Sequence, residues 1–245
     1  MPFKEGGSLP ALADADDGFS YVLKFRGAGQ GTRALIADFI GGMIAKALGL
    51  RIPELVFARL DPAFGQSEPD EEIQDLLKKS TGINLGVSYL AKALTFDPAA
   101  TFVSPDLADK ILWLDAYIMN VDRTVKNTNI LLWHKELWLI DHGASLYFHH
   151  NMGSWEQLVT SPFPNISQHV LRYNGQHVRD TDRWAKSILT TALLTEIVDN
   201  IPDDWLTAAS PDMTVQDQRD IYKQFLTRRL ALSDNFVSNI AQYEK

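Results

Sequence analysis

Residues 122–143 read DRTVKNTNILLWHKELWLIDHG, and their order decides how the rest of the chain is arranged. Two short apolar runs, 130–133 and 137–140, enclose the polar residues His134, Lys135 and Glu136, the pattern of a β-hairpin. Polar groups with oxygen ligands flank this hairpin on both sides: Asp122 and Asn127 come before it and Asp141 closes it, followed by Gly143. Magnesium prefers a few oxygen ligands in octahedral geometry and keeps several waters, so one carboxylate and one side-chain amide from adjacent segments suffice to hold it. Asn127 and Asp141 offer that pair.

Immediately upstream, residues 106–120 place Leu107, Ile111, Leu112, Leu114, Ala116, Tyr117 and Ile118 so as to form a helix buried on most sides, which delivers the chain to Asp122. Nearer the N-terminus, YVLKF (21–25) is a β-rich run bounded by Gly18 on one side and by Gly27, Gly29 and Gly31 on the other, which predicts a strand carrying Lys24. A packed amphipathic helix over 33–48 follows, ending at Gly49 and carrying the acid Asp38. Residues 54–60 alternate as a strand, and 69–79 have a polar helical tendency. Downstream of the hairpin, 183–200 and 214–243 read as helices, with residues 201–204 breaking between them. The spacing predicts an α+β, two-lobed chain: a small β-rich N-lobe with one main helix over about 1–94, and a mainly α-helical C-lobe over about 95–245, together a single catalytic domain.

Asp122 lies five residues before Asn127, a separation at which a turn aims the carboxylate at an acceptor hydroxyl while the amide reaches a metal ion. Taken singly, each residue has a plainer explanation: Asp122 as a turn after the helix, Asn127 and Asn129 as loop residues, Asp141 as the end of a hairpin. The ordered set of buried helix, Asp, Asn, hairpin, Asp and Gly points to phosphoryl transfer, a reaction that needs alignment and positive charge more than covalent chemistry from the protein. Lys24 supplies that charge. An isolated lysine in a strand more often snorkels to solvent, but this one follows Gly6, Gly7 and Ser8, a turn able to cover phosphates, and precedes the helix that carries Asp38.

Composition narrows the function classes. With 23 Lys and Arg against 31 Asp and Glu, the net charge of −8 argues against general nucleic-acid binding, which needs a basic surplus on one face. With no cysteine there is no disulfide framework and no thiol nucleophile, which suits a reducing cytoplasm. The N-terminus lacks a basic start followed by an apolar run, and no stretch of about eighteen apolar residues predicts a membrane span. Among the histidines, only His149 and His150 are adjacent, and neighbours in sequence rarely aim at one ion. His142, beside Asp141, is placed either to contact phosphate or to pack under the metal loop.

The stretch from Gly6 to Glu54, with DRTVKNTNILL and LIDHG, resembles HipA-like kinase domains, and the likeness continues weakly in FPNISQHVL (163–171) and IPDDWL (201–206). The resemblance implies a protein-kinase-like fold and ATP with Mg2+ as cofactors. It puts Gly6, Gly7, Ser8, Lys24 and Asp38 at the nucleotide, Asp122 as catalytic base, and Asn127 and Asp141 on magnesium. Two positions depart from the family pattern: Thr124 stands where related loops carry His, and Asp38 where a longer Glu is usual, which puts its reach to Lys24 in question. Some relatives are inhibited by phosphorylation of a serine near the nucleotide loop, a place Ser8 shares; a turn serine bonding local backbone is the other reading. The implied partners are ATP and a hydroxyl acceptor, a protein Ser or Thr or a smaller alcohol. A nucleotide-binding pseudokinase acting through partners is the alternative, and nucleotidyl transfer a third.

Overall fold

A computed structural model describes residues 10–66, 68–172 and 177–242. Residues 11–88 build one antiparallel sheet and two helices. Strands β1 (Ala11–Asp14) and β2 (Ser20–Lys24) form a hairpin; helix α1 (Gly31–Ala47), strand β3 (Leu55–Leu60), helix α2 (Glu71–Lys79) and strand β4 (Gly82–Ser88) follow, and the sheet order is β1-β2-β4-β3. The register aligns Lys24 with Leu85 and Phe57 with Leu85 on the other side of β4. A second sheet, β5-β6-β7, joins the short strand β5 (Leu94–Thr95) to a hairpin formed later in the chain.

Local chemistry explains the boundaries. Asp70 caps α2 by accepting from the backbone N–H groups of Glu72 and Ile73 at 3.0 and 3.2 Å; Glu71 and Glu72 open the helix and Lys78 and Lys79 close it, matching its dipole. Helix α3 (Pro105–Ile118) starts on a Ser104 cap with Pro105 in its first turn and stops where Met119 turns left-handed at φ 58°. The predicted hairpin is present as β6 (Ile130–Trp133) and β7 (Glu136–Leu139), its two-residue turn made by His134 and Lys135, both at positive φ.

The second half is helical: α4 (Trp155–Val159), α5 (Val178–Ile188), α6 (Thr191–Asp199), α7 (Asp203–Ala209), α8 (Val215–Ala231) and α9 (Asp234–Gln242). Two corrections apply to the sequence reading. The segments expected as single helices over 183–200 and 214–243 each divide in two, and residues 203–204, expected in a break, instead open α7. Acids in a first turn favour a helix, so Asp203 and Asp204 start one after Pro202 rather than ending one.

Trp113, Tyr117, Phe225 and Phe236 fill the core between α3, α8 and α9. Fully buried Arg229 on α8 donates to the carbonyls of Ala116 and Tyr117 at 2.8 and 2.9 Å and to those of Leu158, Val159 and Ser161 at 3.0 Å each. It satisfies the chain ends of α3 and α4, which would otherwise be orphaned acceptors. Helix α7 reaches across to the sheet: the Trp205 indole donates to the Ile83 carbonyl at 2.7 Å, its ring meets Phe57 edge-on at 5.5 Å, and Phe57 in turn lies 5.2 Å from Phe39 of α1. The main helix of the small lobe is thereby held from both sides. Among the described residues no helix is long and apolar enough to cross a membrane.

Candidate active site

Lys24, at the end of β2, turns its ammonium group between two carboxylates: Asp38 Oδ2 of α1 at 2.5 Å and Asp141 Oδ1, just after β7, at 2.8 Å. Burial works against the lysine's charge, yet the two carboxylates outweigh it and raise its pKa above the ordinary value. Burial likewise opposes ionisation of Asp38, but Lys24 and His142 hold its carboxyl well below the usual range. The shorter acid does reach. Asp38 Oδ1 also accepts the His142 backbone N–H at 2.6 Å, which ties α1 to the loop after β7. His142 is buried against this pair, so of its two expected placements it packs under the loop.

The approach is close because residue 41 has no side chain. A Cβ at Gly41 would lie 2.6 Å from His142 Cβ, closer than such atoms come. Asp141 itself adopts a left-handed φ of 54°, a conformation that Asp tolerates better than most residues, and its Oδ1 also accepts the Gly143 N–H at 3.3 Å. No hydrogen bond engages its Oδ2 among the described residues, and the side chain is 45% exposed.

Asp122 faces the same cleft, whose wall includes Lys24, Gly31, Ala34, Asp122, Asp141 and Gly143. Its Oδ2 accepts from Asn127 Nδ2 at 2.7 Å and from Asn129 Nδ2 at 3.5 Å. Partial burial, then the charge of nearby Asp141, raises its pKa. Two carboxylates that repel each other across a cleft form a place where a cation is stabilised. Asn127 lies one step away. It is bonded to Asp122 and lines the adjoining cavity of about 460 Å³, together with Asp97, Lys126 and Ile140. Because its amide nitrogen is spent on Asp122, its amide oxygen is the ligand it has to offer. The donor set is hard oxygen, which suits magnesium. Gly6, Gly7 and Ser8 lie outside the described residues.

The loop carrying Asp122 is fixed by a buried polar network that sequence spacing did not reveal. Asp115 of α3 is fully buried and accepts from Arg123 Nε at 2.7 Å and Asn120 Nδ2 at 3.0 Å. His169 Nδ1 accepts the Leu171 N–H at 3.1 Å, so its other nitrogen carries the proton and donates to Asp115 Oδ2 at 2.9 Å. Burial would raise the Asp115 pKa, but Arg123 and His169 bring it down to about 2. Arg123 Nη1 then donates to the carbonyls of Asn129 and Ile140, the second at 3.4 Å. One guanidinium therefore holds the chain two residues after Asn127 and one residue before Asp141. Thr124, the departure noted above, bridges His169 in antiparallel fashion, and its Oγ1 accepts the Asn127 N–H at 3.2 Å. His169, from a distant segment, thus supports the loop at Thr124 and Asp115. A signal for this existed: Asp115 interrupts an apolar helix and Asn120 follows just after it, and buried polar groups require partners.

A strand lysine paired with an acid of the following helix, facing a loop aspartate and a second aspartate after a hairpin, is the arrangement of a kinase-like fold. The comparisons agree. The crystal structure of the Helicobacter pylori proinflammatory kinase CtkA superposes with a TM-score of 0.55 at 13% identity, covering 100% of this chain and 94% of that one. A family model described as HipA-like kinase matches residues 1–240, and the chain belongs to that family. No curated protein matches the chain.

Proposed function

We propose that the chain is an ATP- and magnesium-dependent phosphotransferase that moves the γ-phosphate of ATP to a hydroxyl, that of a Ser or Thr on a protein. We read it as a single catalytic domain whose lobes divide near Leu94. The observation that carries the reading is the ammonium of Lys24 held between Asp38 and Asp141 in the cleft that Asp122 also faces. On this reading Lys24 meets the nucleotide phosphates and Asp38 keeps it aimed. Asn127 and Asp141 would hold magnesium, which when bound neutralises charge on the phosphate oxygens. Asp122 keeps one oxygen on Asn127 and presents the other to the acceptor, orienting its hydroxyl and taking its proton. Its raised pKa makes it a better proton acceptor than an ordinary aspartate.

The test compares wild type with Asp122→Ala and Asp141→Asn in labelled ATP and magnesium. γ-Phosphate transfer or ATP turnover that both substitutions abolish is the expected result. Magnesium-dependent nucleotide binding without turnover would assign the chain to the binding modules instead, and label moving from the α-phosphate would make it a nucleotidyl transferase.

A further inference from the structure

Arg33 is unusual among the arginines of this protein. Of those not fully exposed, Arg26 pairs with Asp204, Arg123 with Asp115, Arg219 with Asp203, Arg172 donates to the His169 carbonyl at 3.2 Å, and Arg229 donates to five carbonyls. Arg33 has no hydrogen bond and no carboxylate partner among the described residues, and its Nε is sealed from solvent. Its terminal nitrogens also lack protein partners but are not sealed, so the open end of the guanidinium fork reaches solvent. A buried donor without a partner is costly, and a fork that presents its free donors outward matches a carboxylate or phosphate.

The surroundings reinforce this. Arg33 sits in the first turn of α1 between Gly31 and Ala34, both of which line the cleft with Asp122 and Asp141. Its charge is felt by His149, His150 and Tyr222. His149 is buried, shares a 3.2 Å hydrogen bond with the Tyr222 hydroxyl, and serves as packing. His150 is exposed, its ring 4.7 Å from that of His149 and 6.0 Å from that of Tyr147. A chain of net charge −8 therefore keeps an unpaired positive group on the helix whose first turn lines the cleft. Lys24 of β2 already serves as the nucleotide's cation in the reading above, so the unpaired cation on α1 is left for the other substrate.

We propose that Arg33 is the receptor for an anionic group, carboxylate or phosphate, carried by the acceptor close to its reacting hydroxyl. This assignment to the acceptor rests on the phosphotransferase reading of the cleft; the anion site itself does not. Closure of an anion on the fork cancels the repulsion that Arg33 exerts on His150, so the His150 imidazole reports occupancy by a rise in its pKa.

The experiment follows the imidazole resonances of the full chain by NMR while inorganic phosphate or acetate is added, with saturating Mg-ADP present to fill the Lys24 site. A rise in the His150 pKa is expected. Arg33→Gln should weaken phosphate binding by about tenfold or more, the factor for losing a charge-assisted hydrogen bond. Arg33→Lys, which keeps the charge without the fork, should fall between and covers the case in which the glutamine variant does not fold. A tighter response to acetate than to phosphate assigns a carboxylate on the acceptor, and the reverse assigns a phosphate. An unmoved His150, or the same response in both variants as in wild type, overturns the proposal. If Mg-ADP fails to bind while phosphate still acts through Arg33, it is the phosphotransferase reading that falls.

Discussion

Asp115→Asn isolates the electrostatic part of the network beneath the catalytic loop, because the substitution keeps the shape and removes only the charge. In wild type the carboxylate receives Arg123 Nε at 2.7 Å, His169 Nε2 at 2.9 Å and Asn120 Nδ2 at 3.0 Å, all out of contact with water. The amide accepts at one oxygen only and leaves a guanidinium buried without a countercharge. Breaking a buried pair by removing one partner costs about 3–5 kcal/mol, and losing two charge-assisted hydrogen bonds gives about 3–6 kcal/mol. Linkage gives a smaller figure. A carboxyl at about 2 in the folded chain against 3.8 when free is worth about 2 kcal/mol. The two measures differ because linkage compares the carboxylate with a protonated acid that keeps part of the network, whereas the amide points a donor at other donors; the larger range applies to the variant.

The pH dependence follows in sign. A carboxyl whose pKa is depressed by folding stabilises the protein above its unfolded value, and that contribution is lost as pH falls from 3.8 toward about 2. Urea unfolding at pH 7, 5 and 3.5 should show the full deficit of the variant at the two higher values and the start of its narrowing at the lowest. A deficit below about 1 kcal/mol at pH 7, the level of a neutral surface change, would refute the claim that this network is an electrostatic keystone.

Trp205→Phe removes the donor to the Ile83 carbonyl and should cost about 1–3 kcal/mol, read as a fall in melting temperature of about 2–4 °C per kcal/mol. Gly41→Ala forces a Cβ to within 2.6 Å of His142 Cβ, so stability should fall by about 1–3 kcal/mol and magnesium-dependent nucleotide binding, measured by calorimetry, should weaken with it. His149, whose pKa burial and then His150 and Arg33 push down to about 3, stays neutral in the fold while the unfolded chain takes up a proton below about 6.5. Stability should therefore decline as pH drops below 6.5, and His149→Gln should flatten that decline in melting curves between pH 7 and 4.5.

Much of the site was legible because its chemistry is local in sequence. Asp122, Asn127 and Asp141 flank one hairpin, and Lys24 and Asp38 belong to consecutive elements, so their order suggested the candidate set, of which Lys24, Asp122 and Asp141 line one cleft with Asp38 bound to Lys24, and Asn127 lines another cavity. What escaped depends on distance. His169 meets Asp115 across 54 residues, and no local spacing links the two. Strand β4 also escaped, since its two glycines argue against a strand; Gly86 is there because a Cβ would sit 2.7 Å from Val56 Cγ2 of the neighbouring strand. The division between α5 and α6 rests on Thr190, whose side chain accepts the Leu193 N–H at 3.2 Å, a cap that periodicity overlooks.

The short acid at position 38 shows how a departure from the family pattern is absorbed. Asp38 and Gly41 stand three residues apart on one face of α1, and both meet His142: the first through its carboxylate, the second through the absence of a side chain. A larger residue at 41 would lift α1 away from the loop after β7, and the reach to Lys24 would then need the longer glutamate. With glycine there, the helix comes close enough for an aspartate to bind the lysine at 2.5 Å and the loop backbone at 2.6 Å at once. The contacts of α7 through Trp205 and Phe57 press on the same helix from its other side. An aspartate at 38 therefore suffices because the helix is near, and the glycine at 41 is what lets the helix come that near.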